Sequence, residues 1–246
     1  MLITRSILSV PVLVCKRSQA IALLRERLST RTPTRVAFAN AHLLNVAYKD
    51  ARLRSSLEGF LILNDGVGID LASKFLYGKS FPANLNGTDF TPYFLKHCRT
   101  PLKVFLLGAH PSVVVRVAKM FARHWPQHRL VGYQHGFIPE TDERRVIELV
   151  REGSPDLVLV AMGNGLQERW VERLVPDVVP SAWGVGALFD FLAGEVGRAP
   201  LWMRLLGIEW SYRLWQEPRR LWQRYILGNP KFVLRILGER NSSAQR

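Results

Sequence analysis

Short, continuous apolar runs, each followed by a stretch with helical periodicity, recur through most of the chain, and they constrain its fold more than any other feature. Val36-Ala37-Phe38, 60–63, 103–107, 129–133, 156–161 and a last run near 178–185 read as strands. Helices are predicted over 18–28, 41–48, 67–77, 89–98, 111–124, 141–152 and 166–174. Unbroken rather than alternating hydrophobicity means that both faces of each strand are covered, and an intervening helix is the crossover that a parallel pair requires. The expected class is therefore α/β, a mostly parallel sheet flanked by helices. The opening MLITRSILSVPVLVCKR reads as one further strand and not as a secretory leader. Arg5, Ser6 and Pro11 interrupt its apolar part, and no small-residue cleavage site follows.

Charge divides the chain. The net charge is +14 over 246 residues, and ten of the 34 basic residues lie from Arg198 onward, opposed only by Glu209, Glu217 and Glu239. Four of the seven tryptophans, Trp202, Trp210, Trp215 and Trp222, lie there too. This separates residues 1–197 from a basic, aromatic helical appendage, 198–246. Trp and Leu on one side with Arg on the other describe a helix that lies in a membrane interface. So basic a chain attracts polyanions: nucleic acid, an anionic membrane surface or phosphorylated substrates. No nucleic-acid-reading motif is present, so nucleic acid is not an expected partner. No apolar run reaches the roughly 18–20 residues of a membrane span. Cys15 and Cys98 make neither a disulfide framework nor a zinc pattern, which fits a reducing cytoplasm.

In a parallel sheet, ligands bind at the carboxyl ends of the strands. In LILNDGVG, Asp65 follows its strand immediately, so its carboxylate either faces that crevice or caps the next helix. Gly66 and Gly68 permit a tight turn. A dinucleotide fingerprint fails, because Asp70-Leu71 stand where a third glycine is needed. Asn86-Gly87-Thr88-Asp89 is either a plain turn and cap or a substrate loop, and Gln167 and Glu168 either cap a helix or point into the crevice of Asp65. The six histidines show no metal-ligand spacing, and no Asp-x-Asp pair occurs, so no metal and no cofactor are expected. At about 100° per residue, Arg213, Arg220 and Arg224 share one helix face, strictly so only for the last two, since Pro218 starts a new helix. Arginine forks suit phosphate oxygens.

The run VGALFDFLAGEVGRAPLWMRLLGIEWSYRLWQEPRRLWQRY follows FANAH, NDGVG, NGTDF, FLLGA, VGYQHGF and MGNGLQERW in order. From about residue 35 to 230 the chain resembles the WecG/TagA/CpsF family of bacterial glycosyltransferases. The resemblance implies a Rossmann-like domain with an appendage that closes over the active site. It implies a metal-independent, inverting enzyme, peripheral on the cytoplasmic face of the cell membrane. Such an enzyme moves a hexose or N-acetylhexosamine-type sugar from a UDP-sugar to a polyprenyl-diphosphate-linked sugar, for surface polysaccharide. Carried over by residue, Asp65 is the catalytic base, Asn40 an active-site amide, Gln167 the glutamine of a helix-opening motif, and Arg213 and Arg220 the diphosphate holders. Gly66, Asn86, Asp89 and Arg224 complete the candidate substrate-binding set. Three departures stand out: Gly165 in place of Pro, Phe38 in place of a Thr, and Gln223 where an Arg is expected, with Arg224 beside it. The Phe38 change bears on which donor sugar is used; N-acetylmannosamine, its uronic acid and glucose all occur in the family. The oligomeric state is open, a homo-oligomer included. On the residues alone two other classes compete. A nucleotide-binding oxidoreductase would quench nicotinamide fluorescence on binding. A basic adaptor on membrane or nucleic acid would ignore Asp65→Asn and weaken smoothly with salt.

Overall fold

A computed structural model describes residues 2–200, 202–203 and 206–244, so Arg204 and Arg246 of the basic tail lie outside the described residues. The chain opens with a hairpin, β1 (Thr4–Ile7) and β2 (Val10–Leu13), followed by α1 (Arg17–Ser29). Then come β3 (Thr34–Ala39), α2 (Ala41–Lys49), α3 (Ala51–Leu57), β4 (Leu61–Asn64), α4 (Val67–Tyr77) and α5 (Gly87–His97). The second half holds β5 (Lys103–Gly108), α6 (Pro111–His124), β6 (Arg129–Gln134), α7 (Glu143–Gly153), β7 (Leu157–Ala161), α8 (Leu166–Leu174), β8 (Ser181–Gly184) and α9 (Leu188–Leu192). The tail is helical: α10 (Glu209–Gln216), α11 (Pro218–Trp222), a π turn over 223–227 and α12 (Gly228–Ala244).

The eight strands form one sheet in the order β1-β2-β4-β3-β8-β7-β5-β6, parallel except for β1. Each apolar strand divides between two cores. Along β7, Leu157, Leu159 and Ala161 enter one core and Val158 and Val160 the other, all buried. One core packs α2, α4, α7 and α8 on the sheet, and the other packs α1, α5, α6 and α9, so the unbroken hydrophobicity reports two covered faces. Phe38, Phe90, Phe94 and Trp183 meet ring to ring at the centre of the second core.

The opening segment differs from the single strand expected. Leu8 and Ser9, at φ 50° and 63°, reverse the chain and convert it into a hairpin. Leu-Ser lacks the Gly or Asn that marks such a left-handed turn, so the reversal has no residue-type signal. The turn is held from afar: the Leu8 N–H donates to Glu239 Oε2 at 3.0 Å, tying α12 to the sheet edge. Phe232 and Ile236 of α12 are buried in the core beside α2 and α4. Glu239→Ala removes the acceptor of a part-buried N–H, and urea unfolding will show a loss of about 1–3 kcal/mol.

Candidate active site

Six strands deliver their carboxyl ends to one cavity of about 1120 Å³. Asn40 follows β3, Asp65 β4, His110 β5, Phe137 β6, Asn164 β7 and Gly186 β8, and all line it. The sheet runs from β3 to β4 in one direction and returns to β8 on the other side of β3, so the cavity lies at a reversal of strand order, where α/β sheets bind ligands. Arg213, Arg220 and Arg224 close it from the tail.

Asp65 does not cap α4. Gly66 holds the N-cap position at φ 97°, a conformation that strains any side chain, and no side chain bonds the cap. Gly68 lies within α4 and needs no glycine freedom. Loop and carboxylate are fixed instead by neighbours. The Asp65 N–H donates to Ala39 O at 2.7 Å, and the Gly66 N–H to Asn84 Oδ1 at 3.1 Å. Asn40 caps α2: its Oδ1 accepts the Leu43 N–H at 3.0 Å, which forces the amide nitrogen outward, 3.3 Å from Asp65 Oδ2. Burial pushes the Asp65 carboxyl up to about 6; the Asn40 amide and the charges of Arg224 and Arg213 act against that rise. A carboxylate tuned so close to neutrality, recessed beside a cavity, suits proton acceptance.

The tail arginines reach the cavity from three elements: Arg213 from α10, Arg220 from α11 and Arg224 from the π turn. Pro218 does start a new helix, at its first position. Glu217 joins two of them, its Oε2 accepting from Arg220 at 2.8 Å and from Arg213 at 3.3 Å. Arg213 also lies over the Phe191 ring, 4.9 Å from its centroid. The Nε atoms of Arg213 and Arg224 are buried and have no hydrogen-bond partner among the described residues.

The remaining candidates divide. Gln167 is buried, with both amide hydrogens engaged: it donates to Glu168 Oε1 at 2.8 Å and to Gly184 O at 3.2 Å, and accepts from the Gly186 N–H at 3.0 Å. It therefore binds the loops after β7 and β8 to one another at the cavity floor. A Cβ at Gly184 would stand 3.0 Å from Gln167 Nε2, so a side chain there would press on the Gln167 amide. Glu168 is fully buried and reaches back to the Gly165 N–H, an N-terminal box on α8, and its burial raises its carboxyl. Asn86 caps α5, accepting from the Asp89 N–H at 2.9 Å. Asp89 lines neither this cavity nor its neighbour; its carboxylate pairs with Arg198 at 2.9 Å.

Two lining residues were not assigned from sequence. His42 is held neutral, its imidazole pushed down to about 4 by burial and then by Arg224. Asp190 has its carboxyl raised by burial, with Arg220 opposing. Asp190 lies inside the VGALFDF motif, a signal that was available; His42 stands just past a strand, at the second position of α2, but a lone histidine there is most often structural. Among the described residues no group of three His, Cys, Asp or Glu side chains could hold a metal ion.

The family description "Glycosyl transferase WecG/TagA/CpsF family" matches residues 5–246. The chain is 35% identical over 188 residues to an N-acetylglucosaminyldiphosphoundecaprenol N-acetyl-beta-D-mannosaminyltransferase of Bacillus spizizenii, covering 75% of this chain and 70% of that one. It is 34% identical over 182 residues to the enzyme of the same name from Bacillus subtilis, covering 72% and 68%. A family match over nearly the whole length, around a crevice that brings Asp65 together with Arg213, Arg220 and Arg224 of the tail, makes this chain a member of the WecG/TagA/CpsF family of glycosyltransferases.

Proposed function

We propose that this glycosyltransferase moves a hexose or N-acetylhexosamine from a UDP-sugar to a polyprenyl-diphosphate-linked sugar, with inversion and without a metal ion. The observation that carries the reading is the pairing of Asp65, its carboxyl raised to about 6, with three converging arginines in one cavity. The acceptor hydroxyl attacks the anomeric carbon from the face opposite the UDP. Its proton passes to Asp65, the new glycosidic C–O bond forms, and the bond to the UDP oxygen breaks. Negative charge then gathers on the departing diphosphate. Arg213, Arg220 and Arg224 stabilise it, as preorganised cations that need no rearrangement during reaction. The relatives are named for an N-acetylglucosaminyl-diphospho-undecaprenol acceptor, which supports the acceptor class.

Residues 198–246 act as an appendage that completes the site and seats the enzyme on the cytoplasmic face of the cell membrane. Support comes from its exposed apolar side chains, Trp202, Trp215, Trp222 and Ile226 among them, interleaved with basic residues. No helix among the described residues is long and apolar enough to cross a membrane. Phe38 lines the cavity and helps to shape the donor's sugar pocket, so the donor must be found by trial.

The test is a panel of UDP-sugars, UDP-N-acetylmannosamine first, incubated with enzyme, detergent and N-acetylglucosaminyl-diphospho-undecaprenol, with and without EDTA. The expected result is a lipid-linked disaccharide and free UDP from one donor, at a rate EDTA does not change. Loss of product in EDTA, restored by a divalent ion, would refute the metal-independent mechanism, and no product from any donor would refute the substrate assignment.

A further inference from the structure

A second hollow, about 660 Å³, runs from the active site between α4 and α12. Leu71 and Phe75 of α4 and Val233, Ile236 and Leu237 of α12 form its walls, and Trp210 of α10 joins them. Leu71 is 61% exposed, Val233 54% and Leu237 43%, so two neighbouring helices present apolar side chains to open space across one groove. Its inner end coincides with the catalytic cavity: Asn40, Asp65, Arg213 and Arg224 line both.

We propose that this groove holds the isoprenoid chain of the acceptor, at the end next to the diphosphate. The inference rests on the reading that the acceptor is a polyprenyl-diphosphate-linked sugar. Such a molecule presents three chemistries in fixed order: a hydroxyl, a diphosphate and a hydrocarbon. The groove presents the matching order: Asp65 at its inner end, then Arg213 and Arg224, which line both hollows and so face the diphosphates of both substrates and whose buried Nε atoms have no partner among the described residues, then the apolar walls. The larger cavity carries cations that the groove lacks, Arg220, Lys231 and Arg235, and so suits the nucleotide. The two hollows share Asp65, so a donor held in one and an acceptor held in the other meet at the base. The appendage thus does more than touch the membrane: α12 forms one wall of the groove that receives the lipid.

The test measures binding without sugar transfer. Geranylgeranyl diphosphate, kept below its micelle concentration, and inorganic pyrophosphate are titrated calorimetrically into the full chain. The wild type will bind the isoprenyl diphosphate at least about tenfold tighter than pyrophosphate, the gain expected from burying a few methylenes. Leu71→Glu and Val233→Glu, both at exposed positions and checked by thermal unfolding, will each remove that gain and leave pyrophosphate affinity in place. Equal affinity of the wild type for both probes would overturn the proposal. So would variants that bind geranylgeranyl diphosphate normally but lose anionic vesicles, since the face would then meet the bilayer and not a single chain. The expected binding pattern in an enzyme that transfers no sugar would uphold the groove and refute the transfer reaction separately.

Discussion

Asp65→Asn will lower kcat by about 10²–10⁴-fold, the usual contribution of a positioned general base, and will at the same time stabilise the fold. The amide keeps the shape of the carboxylate and can still pair with Asn40, so substrate binding survives while proton acceptance does not. The stability gain follows from the raised carboxyl, at about 6 against an ordinary 3.8. Between those values the unfolded chain has released the proton and the folded chain retains it. Folding stability therefore falls as pH rises through that window, and above about pH 6 the full cost of ionising a buried group is present. A shift of that size is worth up to about 3 kcal/mol. Asparagine carries no such cost, so the variant should melt higher than the wild type at pH 8 and match it near pH 4. In the wild type, kcat/KM will climb with pH and level off above about 6. Were the variant fully active, or were the acid limb to sit at the ordinary carboxylate range, Asp65 would not be the base.

Much of this was legible because parallel α/β sheets write their topology into the chain. The strand runs around residues 36–38, 60–63, 103–107 and 156–161 each fall on an observed strand, since burial on both faces leaves little room for polar residues. Asp65, Asn40 and the tail arginines were readable as strand-end or motif residues, and they do meet in one cavity. What failed was whatever depends on distant partners. The hairpin turn at Leu8-Ser9 is stabilised by Glu239, more than two hundred residues away, so its own residues carry no turn signature. The short α3 and α9 are set by packing and by the Asp50 cap, not by a long period. Nor could the partners be read that engage two candidates: Gln167 lines the cavity while bonded to Gly184, Gly186 and Glu168, and Asp89 pairs with Arg198. A side chain's partners in space, unlike its place along a strand, are not written in its neighbours along the chain.

Arg224→Ala should cost about 10²–10³-fold in kcat/KM, the scale of losing one preorganised donor to developing charge. It should also change the pH profile, which a merely structural residue would not. The Arg224 charge holds the Asp65 carboxyl down and the His42 imidazole down. Without that charge both groups titrate higher. The acid limb of kcat/KM therefore moves to higher pH, and the variant is penalised most near pH 6 and least above pH 8. Arg220→Ala provides the contrast. Arg220 acts on Asp190, lines only the larger cavity, and is the more exposed partner of Glu217. Its loss should raise KM for the UDP-sugar and leave the acid limb where it was. If both variants lose activity with the limb unmoved, Arg224 and Arg220 grip diphosphate without facing the base, and the carboxyl of Asp65 is set by burial, Asn40 and the charges of Glu209 and Arg213. If only Arg224→Ala moves it, the residue beside the missing family arginine couples charge on the leaving group to the base, and the one-residue displacement from Gln223 to Arg224 has kept the function while changing the position that carries it.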